Sequence, residues 1–174
     1  RMSMLEVVGR FDSGLTDVSA RHDLHLDQAY STSAHDSRAG GCFVDTSALY
    51  AVFDCRDAGH ASAAKAWQEL CSSDAPLFVS SYVLVEMTAL LQDRLGVRAV
   101  DALHTYVLPW LHVTWVDDPL HAQGIAGLLA AGRRDLSLVD CTSFALMREL
   151  GLRRVFSLDT HFRDQGFEME PAVG

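Results

Sequence analysis

From Cys42 onward the chain alternates short apolar runs with longer stretches in which apolar residues return every three or four positions. Continuous apolar runs fit strands buried on both faces, and the intervening period fits helices packed on them, so the pattern predicts βα units around a parallel sheet. Cys42, Phe43 and Val44 read as a buried strand ending at Asp45, followed by a short helix over 47–53. A second helix is expected over 60–71 with Ala64, Trp67 and Leu70 inward. Leu77, Phe78 and Val79 form the next strand, and Ser80-Ser81 can cap a long helix that carries Glu86 early and stops at Gly96. Apolar residues at Val97, Val100, Leu103 and Val107 predict a helix over 97–108 ended by Pro109. A strand over 112–116 follows, then a helix with Asp118 as N-cap and Pro119 at its first position, closed by Gly132. Ser137 starts the next helix, which passes through Asp140, Phe144 and Met147 to Gly151, a residue suited to a C-cap. A fourth strand over 154–157 ends near Asp159, and 167–169 adds an edge strand.

Residues 1–40 break this pattern, being rich in Ser, Asp, His and Arg without a sustained period. They are expected to be an arm or tail: disordered, docked through Leu24, Leu26 and Tyr30, or left over from expression. The folded domain then occupies 41–174, and 174 residues suit one such domain. No apolar run approaches the roughly 18 residues needed to cross a bilayer, and the N-terminus lacks a basic-then-apolar signal, so a cytoplasmic location is expected. Cys42, Cys55, Cys71 and Cys141 are widely spaced without a C-x-x-C pair and read as small core residues rather than disulfide or zinc ligands. None of the eight histidines pairs with another at metal-ligand spacing on an expected helix.

The formal net charge of −9 opposes non-specific attraction to a polyanion. Local potential rather than total charge governs approach, so Arg133, Arg134, Arg153, Arg154 and Arg163 are candidates to guide one, with solvated surface arginines the equal alternative. Four acids stand where ligand sites form in an open parallel sheet, beyond the carboxyl ends of the strands. Asp45 and Asp159 follow strands, while Glu86 and Asp140 lie early in helices that leave or approach that edge. Two such charges about 4 Å apart repel by about 4 kcal/mol at an effective dielectric of 20, so a shared pocket calls for a cation. An all-oxygen set selects Mg²⁺ or Mn²⁺, ions that acidify bound water and stabilise charge on phosphate oxygens. Each acid also has a structural alternative. Asp140 after Ser137 matches a capping box, Asp45 and Asp159 suit turns, and Glu86 could be a solvated helix residue, although its apolar neighbours Val83, Leu84, Val85 and Met87 make that the least comfortable.

Val44-Asp45-Thr46-Ser47, Val85-Glu86, the segment from Ser137 to Phe144, and Ser157-Leu158-Asp159-Thr160-His161-Phe162 together resemble the PIN-domain family, especially its VapC-type toxins, over about 42–169. The resemblance implies a three-layer α/β/α sandwich with a mostly parallel central sheet. It also implies a Mg²⁺- or Mn²⁺-dependent endoribonuclease whose catalytic and metal-binding quartet is Asp45, Glu86, Asp140 and Asp159. Thr46 and Ser143 are candidate hydroxyl partners of water or phosphate, with capping or packing as the alternative, and Asp135 and Asp164 are lower-ranked acids acting through water. The implied partners are RNA, such as transfer RNA, a cognate antitoxin that blocks the acidic pocket, and a second copy in a homodimer. The 40-residue arm departs from the compact toxins, and Arg10, Arg21 or Arg38 is a candidate to enter the pocket.

Two other readings compete. A haloacid-dehalogenase-like phosphotransferase needs a second aspartate two positions after the first and a downstream lysine, whereas Ser47 stands there and Lys65 is the chain's one lysine. The same lack weakens a receiver domain and removes a P-loop. A non-catalytic PIN-like binding module for RNA or protein would bind metal without cutting.

Overall fold

The computed structural model describes residues 40–172. Strands β1 (Cys42–Val44), β2 (Leu77–Ser80), β3 (Leu111–Thr114), β4 (Arg154–Phe156) and β5 (Glu168–Glu170) form one sheet in the order β3-β2-β1-β4-β5, and every pairing is parallel. β1 and β2 are buried throughout, which explains their unbroken apolar runs, while the edge strands β3 and β5 are partly exposed. The helices are α1 (Thr46–Phe53), α2 (His60–Ser72), α3 (Ser81–Arg94), α4 (Val97–Ala102), α5 (Asp118–Ala131), α6 (Leu138–Leu150) and α7 (His161–Asp164). They cover the sheet in the α/β/α arrangement expected, with a sheet that is wholly rather than mostly parallel among the described residues.

The strand order decides where a ligand can sit. From β1 the chain winds outward through β2 to β3, then returns to place β4 on the other side of β1. The connections leaving β1 and β4 therefore diverge, opening a crevice beyond their carboxyl ends. Asp45 follows β1 directly, and Ser157 and Asp159 follow β4.

Several local expectations are corrected. The helix over 97–108 divides into α4, a wide π turn at Leu103–Val107 and a 3₁₀ turn at Leu108–Trp110 that contains Pro109. A proline ring clashes with the carbonyl four residues back, and a wider preceding turn relieves that contact. Val97 is exposed, and Ala99, Ala102, Leu103 and Val107 carry the buried stripe. Ala64 is half-buried, its expected place taken by Ala63 and Ala66 beside Trp67 and Leu70. Asp117, not Asp118, caps α5 by accepting from the Leu120 N–H at 3.0 Å, which moves Pro119 to the second helical position. Cys55 is exposed, whereas Cys42 and Cys141 are buried, and all four thiols are free. Burial pushes the Cys42 and Cys71 thiols up to about 12, so neither is a ready thiolate.

Trp67 belongs to the core and packs on Phe156 at 5.3 Å between ring centroids, while Trp110 and Trp115 are exposed. No helix among the described residues is long and apolar enough to cross a membrane. The arm, with Arg10, Arg21, Leu24, Leu26, Tyr30 and Arg38, lies outside the described residues.

Candidate active site

Asp45 is where β1 ends and α1 begins. An extended backbone there lets its carboxylate cap the helix, accepting from the Ser47 N–H at 3.1 Å. Two hydroxyls add to this. Ser47 Oγ donates to Asp45 Oδ2 at 2.6 Å, and Ser157 Oγ, arriving from the end of β4, donates to the same oxygen at 2.8 Å. All three bonds converge on Oδ2, which leaves Oδ1 outside them. Burial is nonetheless the largest influence on this group and pushes its pKa up to about 6 against the lowering effect of those bonds, with the Asp140 charge raising it further.

Ser157 also ties the second strand end to the first. Its Oγ accepts from the Asp159 N–H at 3.0 Å, and Ser47 Oγ accepts from the Leu158 N–H at 3.0 Å. The turn that presents Asp159 is thus bonded to the turn that presents Asp45. α7 is anchored by Phe162, which meets Phe144 of α6 edge-on at 4.9 Å, with Phe167 stacked nearby. That contact fixes α6, and with it Asp140, against the Asp159 turn.

Asp140 occupies the third position of α6 in a complete capping box. Its N–H donates to Ser137 Oγ at 3.0 Å, and its Oδ2 accepts from the Ser137 N–H at 2.7 Å. The structural alternative is therefore realised. It does not remove Asp140 from the site, because one carboxylate oxygen, one from Asp159 and one ring nitrogen of His161 lie within 4.8 Å of one another. Glu86 enters from α3 and accepts from Thr46 Oγ1 at 2.6 Å, which holds it beside the first turn of α1. Asp140 and Asp159 thus share the tightest group with His161, Asp45 feels the Asp140 charge and is tied to the Asp159 turn through Ser157, and Glu86 is joined to Thr46, the residue after Asp45.

The structure separates the remaining candidates. Ser143 is fully buried and its Oγ has no hydrogen-bond partner, so as placed it faces packing rather than solvent-borne phosphate. Asp135 accepts a bidentate pair of bonds from Arg133, at 3.1 and 2.6 Å, and this guanidinium holds its carboxyl well below the usual range. Asp164 is exposed on α7. Among the arginines, Arg154 lies at the amino end of β4, pairs with Glu170 and faces away from the crevice, with Arg153 beside it. Arg133, Arg134 and Arg163 are exposed on the segments that flank Asp140 and Asp159.

Three participants escaped the sequence reading. Ser47 and Ser157 were visible inside the motifs, but that both hydroxyls meet one carboxylate oxygen depends on pairing β1 with β4. His161 has no second histidine at helical spacing to mark it; its relevant partner is an aspartate two positions earlier. Its N–H donates to Asp159 Oδ1 at 2.9 Å, and its Nδ1 lies 2.9 Å from the same oxygen. Its partial burial is the largest single influence and lowers its pKa, but the bonds and charges of Asp159 and Asp135 together raise it.

The donor set fits a divalent cation by its chemistry. Asp45 and Asp140 each keep one oxygen outside the protein's own hydrogen bonds, and Asp159 stands within reach of Asp140. Such carboxylate-rich, partly filled shells suit hard ions that retain open positions.

A family model described as "PIN domain" matches residues 42–168. The 23S rRNA-specific endonuclease VapC20 of Mycobacterium tuberculosis, from strains CDC 1551 / Oshkosh and ATCC 25618 / H37Rv alike, is 35% identical over 131 residues, spanning 74% of this chain and 98% of the relative. The crystal structure of Mycobacterium tuberculosis VapC20, described as a sarcin–ricin loop cleaving toxin, superimposes with a TM-score of 0.65 at 34% identity, covering 73% of this chain and 96% of that one.

Proposed function

The chain belongs to the PIN-domain family, and from that premise we propose that it is a divalent-metal-dependent endoribonuclease acting through Asp45, Glu86, Asp140 and Asp159. The observation that carries the proposal is the close grouping of Asp140 and Asp159 beside the ends of β1 and β4, where Asp45 stays buried at the cost of a raised pKa; Glu86, bonded to Thr46, supports it. A carboxylate kept in so unfavourable a place is typical of a functional site. The four acids would hold Mg²⁺ or Mn²⁺, which when bound supplies Lewis acidity for water and for the phosphate oxygens.

The chain's own residues do the positioning. Ser47 and Ser157 aim Asp45, Thr46 aims Glu86, and Ser137 aims Asp140. Arg133 is taken up by Asp135, so Arg134 and Arg163, exposed on the segments that flank Asp140 and Asp159, are the basic side chains that would meet the RNA backbone in spite of the net charge of −9. The relative's specificity makes 23S rRNA and its sarcin–ricin loop the first substrate to examine, ahead of transfer RNA. We assign the protein the role of toxin in a toxin–antitoxin pair, acting in the cytoplasm as a homodimer and restrained by a cognate antitoxin that fills the acidic pocket.

The test is cleavage of purified ribosomal and transfer RNA with Mn²⁺, with EDTA, and with Asp140→Asn. The expected result is metal-dependent cutting that leaves 5′-phosphate ends and is abolished by chelation and by the substitution. Full activity in EDTA would reject the mechanism, and metal binding without any cutting would favour a binding module.

A further inference from the structure

We propose that His161 is a direct nitrogen ligand in the metal site, so that the centre is a mixed carboxylate–imidazole site tuned toward Mn²⁺ rather than an all-oxygen one. The inference rests on the reading of the acidic crevice as a metal site and goes beyond the four acids assigned to it.

Distance is the first argument. Donor atoms of Asp140, Asp159 and His161 all lie within 4.8 Å of one another. Ligands about 2.1 Å from an octahedral ion stand about 3 Å apart when adjacent and about 4.2 Å apart when opposite, so these three need only a small contraction to share one ion. The nitrogen that faces Asp159 is Nδ1, at 2.9 Å from Oδ1 and 3.2 Å from Oδ2.

The second argument is the other side of the ring. Metal-binding histidines characteristically give their remaining N–H to a carboxylate, which fixes the tautomer and the ring plane. His161 Nε2 lies 3.2 Å from Asp135 Oδ2, and Asp135 is itself gripped by the two-pronged contact from Arg133. Arg133 Nη2 also lies 3.2 Å from Nε2, but a guanidinium has no lone pair to receive an N–H, so with Nδ1 given to a cation the Nε2 proton goes to Asp135. The order Arg133–Asp135–His161 thus presents Nδ1 to the carboxylates. A merely solvated histidine has no need of two buttressing residues from another loop, here the segment before α6. Asp135 and Arg133 are positioning residues in this arrangement.

The chemistry of the ligand sets the consequence. Imidazole is a poor ligand for Mg²⁺, which prefers oxygen, and a better one for later divalent ions such as Mn²⁺. His161 should therefore separate the two affinities.

The experiment is pulsed electron paramagnetic resonance of the full chain loaded with Mn²⁺, together with calorimetric Mn²⁺ and Mg²⁺ titrations of wild type, His161→Gln and Asp135→Asn. The wild type is expected to show ¹⁴N modulation from a directly bound imidazole, absent in His161→Gln. Mn²⁺ affinity should fall by roughly 10–100-fold in His161→Gln and measurably in Asp135→Asn, with much smaller changes for Mg²⁺. Wild-type protein that binds Mn²⁺ without nitrogen coupling overturns the role of His161 while leaving the acidic site standing. Wild-type protein that binds no Mn²⁺ overturns both. The wild-type spectrum decides the matter even if a variant folds poorly.

Discussion

Asp45→Asn should make the metal-free protein more stable at neutral pH while abolishing its nuclease activity. The carboxyl pKa rises from the ordinary 3.8 to about 6 on folding, chiefly by burial. Between those values the folded state holds the proton more tightly than the unfolded state, so stability is lost as pH rises through about 4 to 6 and the whole cost is present above 6. A shift of about two units corresponds to about 3 kcal/mol at 1.36 kcal/mol per unit, taken as an upper figure. Asparagine is nearly isosteric and its carbonyl can still accept from Ser47 and Ser157, so about 1 kcal/mol of capping and hydrogen bonding is the most that is forfeited. The net gain should be about 1–3 kcal/mol. Urea unfolding of both proteins in EDTA from pH 4.5 to 7.5 measures it: the curves should nearly coincide at the acid end and separate by pH 6.5. Excess Mn²⁺ should then restore the advantage to wild type, which alone gains binding free energy. A difference that does not vary with pH, or a wild type more stable than the variant at pH 7.5 without metal, would refute the electrostatic account.

Asp140 should show the split between cap and ligand: Asp140→Asn and Asp140→Ala both lose cleavage, but only the alanine variant forfeits the bond from the Ser137 N–H, costing about 1 kcal/mol relative to asparagine in a denaturant titration. Gly124→Ala places a Cβ 2.2 Å from Thr142 Oγ1 and 3.2 Å from a Leu138 methyl, wedging α5 from α6, and should cost about 1–3 kcal/mol despite alanine's better helix propensity. Pairing it with Thr142→Ala, which also removes a buried hydroxyl lacking a partner, should recover most of the loss in the same measurement.

The sheet was legible because its inner strands are buried on both faces. Cys42 to Val44 and Leu77 to Val79 are short unbroken apolar runs, bounded by Gly41 and Asp45 and by Pro76 and Ser80, as central strands covered on both faces require. Helix ends carried by capping chemistry were equally readable: Ser80, Ser137 and Gly151 act as their residue types suggest, the last in a left-handed conformation at φ 69°. Legibility failed where two residues could do the same job. Asp117 and Asp118 are both capping types, and only the path out of β3 decides between them. Val97 matched the helical period but falls on the solvent side of α4, because the buried face there is set by small residues, Ala99 and Ala102, that a hydrophobic pattern underweights. At the site, acids standing next to strand ends could be foreseen. The hydroxyls of Ser47 and Ser157 could not, because they meet only through the β1–β4 pairing, and the ring of His161 could not, because Asp135 and Asp140 are brought to it by the packing of α6.

Structural and functional readings of these acids, which compete when the sequence is all there is, cease to compete once individual oxygens are followed. Asp45 gives Oδ2 to Ser47 and Ser157, and Asp140 gives Oδ2 to Ser137, each leaving its second oxygen out of these bonds. A hydrogen bond to a charged acceptor is worth about 1.5–3 kcal/mol, so the three on Asp45 are of the same order as the several kcal/mol that burying its charge costs. They are enough to keep the residue folded into place and too few to keep it ionised at its ordinary pKa. What is left over, a buried carboxyl poised near pH 6 beside other acids, is an unfavourable state that the proposed divalent ion would relieve by taking the proton's place. The caps are therefore part of the site: they hold each acid rigidly by one oxygen so that the other cannot swing out into water to escape its neighbours.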